Sequence, residues 1–576
     1  MNKSGFILLL LFFSACNQQP APSTSEQAAE PAPLDPATVI YTNADIVTMD
    51  EKQPEAEAVA VRDGLILAVG SHADVESLAG NNAMIEDLQG ATLLPGLIDA
   101  HGHINFTAQT LATANLSSPP VGNVNNMQEL LAVLEQQRDN TPEPHWIIGW
   151  GYDDSLLAEN RHPTREDLDK VSADRPIMIR HVSGHLMSCN SKCLELAGIT
   201  AEMDDPQGGI IRRLPDSREP DGVLEETAME PLYTKIPQPS RQQRMAMLQN
   251  AQNYYASHGI TTVQDGAAQL EDVALMSEAA GKGLLYLDMV AFPYVLFLGE
   301  NLDQVKTSRE YSDHFRVGGM KLVLDGSPQG KTAFLTQPYL EPPHGQKADY
   351  RGYPSMQDEQ VNNYVAKAFA NNIPLLAHAN GDAAADQLIN AVAAANELHG
   401  NKDRRSVMIH AQTAREDQID AMLKQNIMPS YFSAHTYYWG DWHRDSVFGE
   451  ERAKRISPLR SSADKGLRYT THNDTPIVPP DMMRLMWASV NRTTRSGKTL
   501  GPEQRATPYE ALKSITLDAA YQYFEEQRKG SITVGKLADF TVVDGNPLTV
   551  GPDKIKDIKV LQTIKEGQRV FPHLPQ

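Results

Sequence analysis

The sequence predicts an α/β protein built around a (β/α)8 barrel, in which eight parallel strands alternate with helices. Two observations support this fold class. Apolar runs of strand length alternate with helical stretches eight times along the chain, which is typical of a parallel sheet covered by helices. Histidine, lysine and aspartate side chains recur where these runs end, and such barrels carry their functional groups at the carboxyl ends of the strands.

The eight predicted strands can be followed in chain order, because each is a short apolar run bounded by turn residues. They lie in LLPGLIDAHGH (93–103), GITTVQD (259–265), LLYLDMV (284–290), GMKLVLD (319–325), IPLLAH (373–378), SVMIH (406–410), IMPSYFS (427–433) and LRYTTHND (467–474). Roughly 150 residues separate the first strand from the second, so we expect an inserted subdomain at 115–235 rather than a structureless loop. The barrel then takes residues 96–114 and 236–529.

Two further β-rich segments stand at opposite ends of the chain. Residues 38–95 alternate apolar and polar side chains, and Asp63-Gly64 between two such runs is typical of a hairpin turn. Residues 530–576 contain a second group of strand-like runs. Because segments of this kind commonly pair, we predict one small β-sandwich built from both chain ends, flanking the barrel.

The amino terminus has the pattern of a bacterial export signal. Lys3 precedes an apolar run that is too short to span a bilayer as a helix. Ser14-Ala15-Cys16 is similar to a lipobox, which predicts a signal peptide over residues 1–15, lipidation of Cys16 and a flexible tether over 16–37. Asn17 favours a periplasm-facing anchor in the outer membrane. The alternative is an ordinary cleaved signal, because Phe13 stands where leucine is more usual.

The net charge restricts the class of binding partner, and the cysteine spacing bears on the state of the thiols. The 576-residue chain carries a formal net charge of −22 and shows no patch of Lys and Arg, which argues against a nucleic-acid partner. We expect contact with a membrane through the lipid anchor only, and a homodimer stays open. Cys189 and Cys193 lie four residues apart in what resembles a helix, which predicts free thiols rather than a disulfide.

The residues at the strand ends have the chemistry of metal ligands. His101 and His103 are separated by one glycine on a strand, so both imidazoles share a face and suit a zinc-like cation. Further candidates are Lys321 in strand four, His378 after strand five, His410 after strand six and Asp474 after strand eight. A single buried histidine is more often core than ligand, but four at one rim with an acid predict a metal centre.

The motifs also carry a family resemblance over most of residues 38–570. The matching stretches are LLPGLIDAHGH, GITTVQDG, KLVLDGSPQGKTA, LLAHANGDAAADQ, VMIHAQ, THNDTP and GSITVGKLADFTVVD. On these the chain resembles the metal-dependent amidohydrolase superfamily, specifically the amidohydrolase-3 branch of YtcJ-like and N-substituted formamide deformylase-like proteins. The resemblance implies metal ligands at His101, His103, His378, His410 and Asp474. It also implies that Lys321 occupies a position that can carry a carboxylated lysine bridging two metals.

Some residues depart from that pattern and leave the substrate open. His472-Asn473 stands where a serine commonly precedes the acid, and Asn380 stands where isoleucine is more usual. Lys321 has two readings, since a dication repels an ammonium group. Either it is neutral or an N6-carbamate within the metal site, or it points outward and pairs with an acid. Asp325, four residues further on, is expected to orient the loop 326–330.

Four residues are candidates for substrate contact. His185 resembles a position of the branch that reaches over the active site from the inserted piece, although a surface histidine would give the same pattern. His472 shares a predicted strand face with Asp474, and Asp265 follows strand two. His435 begins the aromatic segment 435–443, which suits a wall for an apolar substrate group and equally suits a packed loop.

The expected chemistry is hydrolysis of an amide. Bound Zn²⁺ lowers the pKa of water to around 7 and polarises a carbonyl, although iron, manganese or nickel also suit such a site. One or two ions are expected per chain, and Asp474 is the candidate that accepts the proton of water and passes it to the leaving nitrogen. These features predict an exported hydrolase of a non-peptide C–N bond, in an N-acyl or N-formyl amine. The alternatives are a hydrolase of a cyclic amide, carbamate or blocked dipeptide, or a non-catalytic, metal-bound lipoprotein that binds a ligand.

Overall fold

The structure is a computed structural model that describes residues 38–573, apart from 81, 143–144, 207–208, 300–301, 303–304 and 344–345. The predicted signal peptide, Cys16 and the whole of the predicted tether lie outside these residues. Within the described ranges, no helix combines the length and the apolar character needed to cross a membrane.

The strands, in chain order, are β1 Val39–Val47, β2 Glu55–Arg62, β3 Leu65–Gly70, β4 Met84–Asp87, β5 Thr92–Pro95, β6 Leu97–Ile98, β7 Ala114–Asn115, β8 Ile147–Tyr152, β9 Ile177–His181, β10 Leu186–Cys189, β11 Gly209–Arg213, β12 Pro220–Glu226, β13 Ile260–Ala268, β14 Asp288–Pro293, β15 Phe315–Val317, β16 Met320–Val323, β17 Leu375–Ala379, β18 Ser406–His410, β19 Ile427–Tyr431, β20 Thr470–Thr471, β21 Phe540–Val543, β22 Val560–Lys565 and β23 Gln568–Phe571.

The helices are α1 His72–Ala79, α2 Ile104–Thr110, α3 Met127–Asn140, α4 Arg165–Asp169, α5 Ser191–Ala197, α6 Glu230–Tyr233, α7 Arg241–Ala256, α8 Leu270–Gly281, α9 Val295–Leu298, α10 Asp358–Ala370, α11 Asp382–His399, α12 Glu416–Gln425, α13 His435–Tyr438, α14 Gly440–Trp442, α15 Glu450–Ala453, α16 Leu459–Asp464, α17 Met482–Asn491, α18 Pro508–Ser514 and α19 Leu517–Gln522.

Both ends of the described chain join one mixed sheet. Its order is β23-β22-β21-β5-β1-β2-β3, with β4 beside β1. The β2–β3 hairpin turns at Asp63 and Gly64, both at positive φ, which suits the right-handed twist of a hairpin. β21 pairs with β5 in antiparallel register, so the two chain ends meet as the sequence predicts. The division of this sheet into the two layers of a sandwich stays a prediction, as do the predicted domain boundaries.

The eight predicted barrel strands are all present, in two parallel sheets. β6, β13, β14 and β15 form the first sheet, and β16 to β20 form the second. Helices α8, α10, α11 and α12 connect successive strands, and the residues of β13, β17 and β19 are almost all buried, as expected when both faces of a parallel sheet are covered. The sequence predicts one closed sheet, whereas hydrogen bonding divides the described strands into two.

A pair of glycines explains the division. The predicted fourth strand is β16; β15, which was not predicted, precedes it and is separated from it by Gly318 and Gly319. A Cβ atom at Gly319 would lie 2.2 Å from the carbonyl oxygen of Pro374, so only glycine fits where pairing changes from β14 to β17. The sheets stay in contact there through a parallel β-bridge between Tyr294, which follows β14, and Lys321 of β16. At the opposite edges, the Asp474 amide donates to the His101 carbonyl at 3.2 Å.

A six-stranded sheet lies between β6 and β13 in the sequence. Its order is β11-β12-β10-β9-β8-β7, with parallel pairs at the β7 end and antiparallel pairs at the β11 end. Helix α3 packs on it through Leu130 and Leu134, which are buried with residues of β8 and β9 in one cluster. The predicted insertion therefore has a sheet and a core of its own.

The two cysteines differ from the prediction. Cys189 ends β10 and Cys193 lies in the first turn of α5, so the pair does not sit within one helix. Asn190 caps the helix, with its side chain accepting from the Cys193 amide at 2.9 Å. This turn brings the sulfur atoms together as a disulfide, with the Cα atoms 5.5 Å apart. The expectation of free thiols is wrong, because it assumed a single helix.

Candidate metal centre

Six ligand-type residues meet at the carboxyl ends of the parallel strands. His101 and His103 follow β6, Lys321 lies in β16, and His378, His410 and Asp474 lie at or just after β17, β18 and β20. Because parallel strands all end on the same side of a sheet, residues far apart in the sequence converge there. All six are buried or half-buried.

Asp474 joins the first group of ligands. Its Oδ1 atom lies 3.1 Å from His103 Nε2 and 3.5 Å from His101 Nε2, and Lys321 Nζ lies 3.0 Å from the same His101 nitrogen. Between the two histidines, a Cβ atom at Gly102 would lie 2.4 Å from a carboxylate oxygen of Asp99, so a larger residue would clash. The two nitrogens and the carboxylate oxygen are therefore close enough to hold one cation.

His378 and His410 form a second group. His378 Nδ1 faces His410 Nε2 at 3.1 Å, and His410 Nε2 lies 4.0 Å from Asp474 Oδ2, so the two groups are adjacent. The other nitrogen of His378, Nε2, lies 3.0 Å from the Gly326 carbonyl, which can only accept a hydrogen bond. A proton on Nε2 satisfies this carbonyl and leaves a lone pair on Nδ1, directed at His410; the Asn380 amide nitrogen also lies 3.0 Å from Nε2.

A hydrogen-bond acceptor also holds the nitrogen of His101 that points away from Asp474, which is Nδ1. Gln264 Oε1 lies 2.5 Å from His101 Nδ1, and its amide nitrogen donates to the Ala100 carbonyl at 3.0 Å and to Tyr523 at 2.8 Å. Because the amide nitrogen of Gln264 already donates to two acceptors, Gln264 Oε1 is the atom that accepts the proton of His101 Nδ1. His101 Nε2 is left with a lone pair that faces Asp474 and Lys321, as a metal ligand requires.

His472 differs from its predicted position. Its Nε2 atom lies 3.1 Å from His410 Nδ1, and its Nδ1 atom lies 2.8 Å from Ser430 Oγ. The prediction assumed that His472 and Asp474 share a strand face, but β20 ends at Thr471 and Asp474 has a φ of 54°. The regular alternation of side chains therefore stops, and His472 supports His410 from the side opposite His378.

Asp325 organises the loop after β16. Its carboxylate accepts from the main-chain amides of Asn380 at 2.9 Å, Gly381 at 2.8 Å and Phe334 at 2.9 Å. Burial raises the pKa of Asp325 to about 7, although these amides act in the opposite direction. The side chain of Asn380 donates to the Gly326 carbonyl at 2.8 Å, so the loop that contacts His378 is fixed from both sides.

The protonation states suit a divalent cation. Burial lowers the pKa of His378 to about 3 and the pKa values of His101 and His410 well below the usual range. Burial lowers the pKa of Lys321 to about 7. For Asp474, burial would raise the pKa, but the hydrogen bond with His103 and the surrounding imidazoles hold it well below its usual range. The neutral imidazoles of His101, His378 and His410 around an ionised carboxylate form a donor set that fits zinc or a similar metal.

The remaining candidates surround the centre. Asp265 is buried, accepts from Asn105 Nδ2 at 2.8 Å and pairs through its backbone with His103; burial raises its pKa to about 7. His435 is buried, with Nδ1 at 2.9 Å from His443 Nε2 and its ring 4.6 Å from that of Trp439. The segment 435–443 is therefore largely packed, and Trp439 donates to Asp153 of the insertion at 3.1 Å.

His185 approaches the centre from the insertion. Its Nδ1 atom lies 3.0 Å from a carboxylate oxygen of Glu226. Burial would lower the pKa of His185, but Glu226 outweighs this effect and raises it; Arg180 lowers it slightly and Asp325 raises it slightly. Gln264, Glu226 and Arg180 were not among the predicted site residues. Gln264 directly precedes Asp265 in strand two, so a buried amide there was the one available signal.

Comparison with known proteins identifies relatives along the whole chain. A family model described as "Amidohydrolase family" matches residues 84–571. N-substituted formamide deformylase of Arthrobacter pascens is 28% identical over 541 residues, 92% of this chain and 97% of that protein. Putative amidohydrolase YtcJ of Bacillus subtilis (strain 168) is 26% identical over 540 residues, 91% of this chain and 98% of that protein.

Solved structures resemble the fold. An uncharacterized metal-dependent hydrolase from Pyrococcus horikoshii OT3 has a TM-score of 0.71 at 22% identity, covering 90% of this chain and 99% of that one. A second, from Pyrococcus furiosus, has a TM-score of 0.69 at 23% identity, covering 89% of this chain and 100% of that one.

Proposed function

This chain belongs to the amidohydrolase family and is a metal-dependent hydrolase of carbon–nitrogen bonds; from that premise we propose that it cleaves a non-peptide amide of the N-acyl or N-formyl amine type. The observation that carries the proposal is the convergence of His101, His103 and Asp474 beside the facing nitrogens of His378 and His410. The name of the relative from Arthrobacter pascens, an N-substituted formamide deformylase, favours an N-formyl substrate.

The donor set divides into two positions. His101 Nε2, His103 Nε2 and Asp474 would hold one cation, and His378 Nδ1 with His410 Nε2 would hold a second. Lys321 Nζ, 3.0 Å from His101 Nε2, would carry the carbamate that the family resemblance implies, and this would add oxygen ligands to the donor set. Zinc suits these nitrogen ligands, and when bound it lowers the pKa of a water molecule and polarises the substrate carbonyl.

Asp474 is proposed to move the proton. Its carboxylate is ionised. It lies between the two ligand groups, with Oδ1 3.1 Å from His103 Nε2 and Oδ2 4.0 Å from His410 Nε2. An ionised carboxylate so placed accepts the proton of the attacking water and donates it to the leaving nitrogen, which would otherwise depart as an unstable amide anion. Asp325, Gln264 and His472 do not take part in the proton transfer. They hold the imidazoles in the tautomers that metal binding requires.

We also propose that the two parallel sheets are arcs of one (β/α)8 barrel. The eight predicted strands, with β15 between the third and the fourth, follow one another in chain order within the two sheets. A β-bridge between Tyr294 and Lys321 joins the sheets on one side, and a main-chain hydrogen bond between Asp474 and His101 joins them on the other. For the amino terminus, the sequence of residues 1–16 supports export, with the mature protein held at the bacterial envelope by a lipid on Cys16.

The test is turnover of a panel of N-formyl and N-acetyl amines by the zinc-loaded protein, with release of the primary amine as the readout. Asp474→Asn, matched for size, is the control for contaminating hydrolases. If the protein hydrolyses cyclic amides, carbamates or blocked dipeptides but none of the N-formyl and N-acetyl amines, the proposed substrate class is wrong and the alternative class is correct. A ligand that binds tightly without any turnover would favour the non-catalytic alternative.

A further inference from the structure

An arginine of the insertion has no acidic partner. Arg180 lies in β9, and within the described ranges no carboxylate oxygen lies within 4.0 Å of its guanidinium group. Its Nε and Nη2 atoms donate to the Gly184 carbonyl at 3.1 and 2.8 Å. Its Nη1 atom has no hydrogen-bond partner among the described residues. The side chain is half-buried, which makes an unpaired cation there costly.

Two aromatic rings hold this guanidinium group in place. Its central carbon lies 5.1 Å from the ring centroid of Phe106 and 6.0 Å from that of Trp150. The two rings meet edge to face, with centroids 4.8 Å apart. A guanidinium held by rings and by one carbonyl keeps a fixed orientation, and the donors that remain free are pre-organised for a planar anion.

The arginine packs against a helix that begins at the candidate metal centre. Phe106 lies in α2, three residues after the ligand His103 and therefore on the next turn of the chain. Gly184, which accepts both hydrogen bonds, directly precedes His185. Through Phe106, Arg180 is therefore one helical turn from the candidate ligand His103.

We propose that Arg180 binds a carboxylate of the substrate, so that the amide cleaved is an N-acyl amino acid, with N-formyl and N-acetyl groups as the first candidates. The fork of a guanidinium group matches a carboxylate, and charge-assisted hydrogen bonds of this kind are among the stronger ones in proteins. Phe106 and Trp150 offer an apolar surface for the amino-acid side chain. This inference rests on the proposed function.

The experiment compares two substrates that differ only in the carboxylate: N-formylphenylalanine and N-formyl-2-phenylethylamine, with the corresponding N-acetyl pair. For the wild type we expect a higher kcat/KM for the acid. Arg180→Gln should lower kcat/KM for the acid about 10- to 100-fold, mainly through KM, and change that of the neutral amide less than about threefold. Arg180→Lys, which keeps the charge but loses the fork, should fall between the two.

Arg213 provides a matched control variant. It lies in β11 of the same sheet and also donates to a main-chain carbonyl, that of Met203, at 2.6 Å. Arg213→Gln should not change the ratio of the two kcat/KM values. Zinc content and melting temperature are measured for every variant, which separates misfolding from lost recognition.

Three outcomes overturn the inference. An equal loss for acid and neutral amide in Arg180→Gln would show that Arg180 only fixes the Gly184 carbonyl. A wild type that prefers the neutral amide would refute the carboxylate while leaving the proposed function intact. Turnover of neither member of either pair, nor of the wider panel, would refute the proposed function and this inference with it.

Discussion

Replacing His472 by phenylalanine tests whether metal affinity depends on a residue that is not itself a ligand. When His410 binds a cation through Nε2, its Nδ1 atom must carry the proton, and His472 Nε2 at 3.1 Å is the acceptor. Phenylalanine has a similar shape but cannot accept. His472→Phe therefore leaves a buried N–H without a partner in the metal-bound state.

The magnitude follows from that unpaired donor. A buried polar group left unsatisfied costs about 1–3 kcal/mol, and loss of a hydrogen bond behind a metal-ligating histidine typically costs about 10- to 100-fold in affinity. In the metal-free state His410 can shift its proton to Nε2 and share it with His378 Nδ1, so the cost falls mainly on the bound state. We therefore expect zinc affinity to fall about 10- to 100-fold.

Competition with a chromophoric chelator measures the zinc affinity directly, without reference to activity. His472→Gln is the matched rescue, because its Oε1 atom stands near the position of Nε2 and can accept from His410. Ser430→Ala, which removes only the contact to His472 Nδ1, should have a smaller effect. Wild-type zinc affinity in a folded His472→Phe protein would refute the reasoning. An equal loss in His472→Phe and His472→Gln would instead identify His472 as a ligand.

Three further predictions follow from the site and the chain. Asp474→Asn should retain part of the zinc, because an amide oxygen can still bind, while kcat falls at least about 10²- to 10⁴-fold. His378→Ala should instead lose metal. Metal analysis and kinetics measure both variants. Burial lowers the pKa of His443 to about 3, below about 6.5 in the unfolded chain, so its contribution to stability is complete above about pH 6.5 and declines as the pH falls toward 3. His443→Phe should therefore lose less melting temperature than the wild type between pH 7.5 and 5.5. Cys16→Ala should move the protein from the membrane fraction to the soluble fraction and abolish the acyl mass at the amino terminus.

Each of these predictions can fail plainly. Near-normal kcat in a metal-loaded Asp474→Asn protein would exclude Asp474 as the proton carrier. An identical loss of melting temperature in the wild type and His443→Phe would show that His443 does not report on acid sensitivity. A mature protein that begins at a residue other than 16, with no attached lipid, would refute the anchor.

The sequence by itself determined the family and the strand ends that carry the ligands. The spacing of His101 and His103 is local, and the period of a strand is enough to put both imidazoles on one face. The order of apolar runs placed His378, His410 and Asp474 at strand ends, because every parallel strand of such a sheet ends on the same side. The motifs around these residues were sufficient to recognise the amidohydrolase family.

Only the tertiary structure decided which nitrogen of each histidine faces the centre and which residue holds the other nitrogen. Gln264 behind His101 and His472 behind His410 come from strands remote in sequence, and their roles depend on rotamers and tautomers that no spacing encodes. The break in the sheet at Gly318 and Gly319 likewise depends on the Pro374 carbonyl, which approaches from another strand. A local pattern fixes the direction of a side chain relative to its own backbone, whereas its partner is fixed by the packing of distant segments.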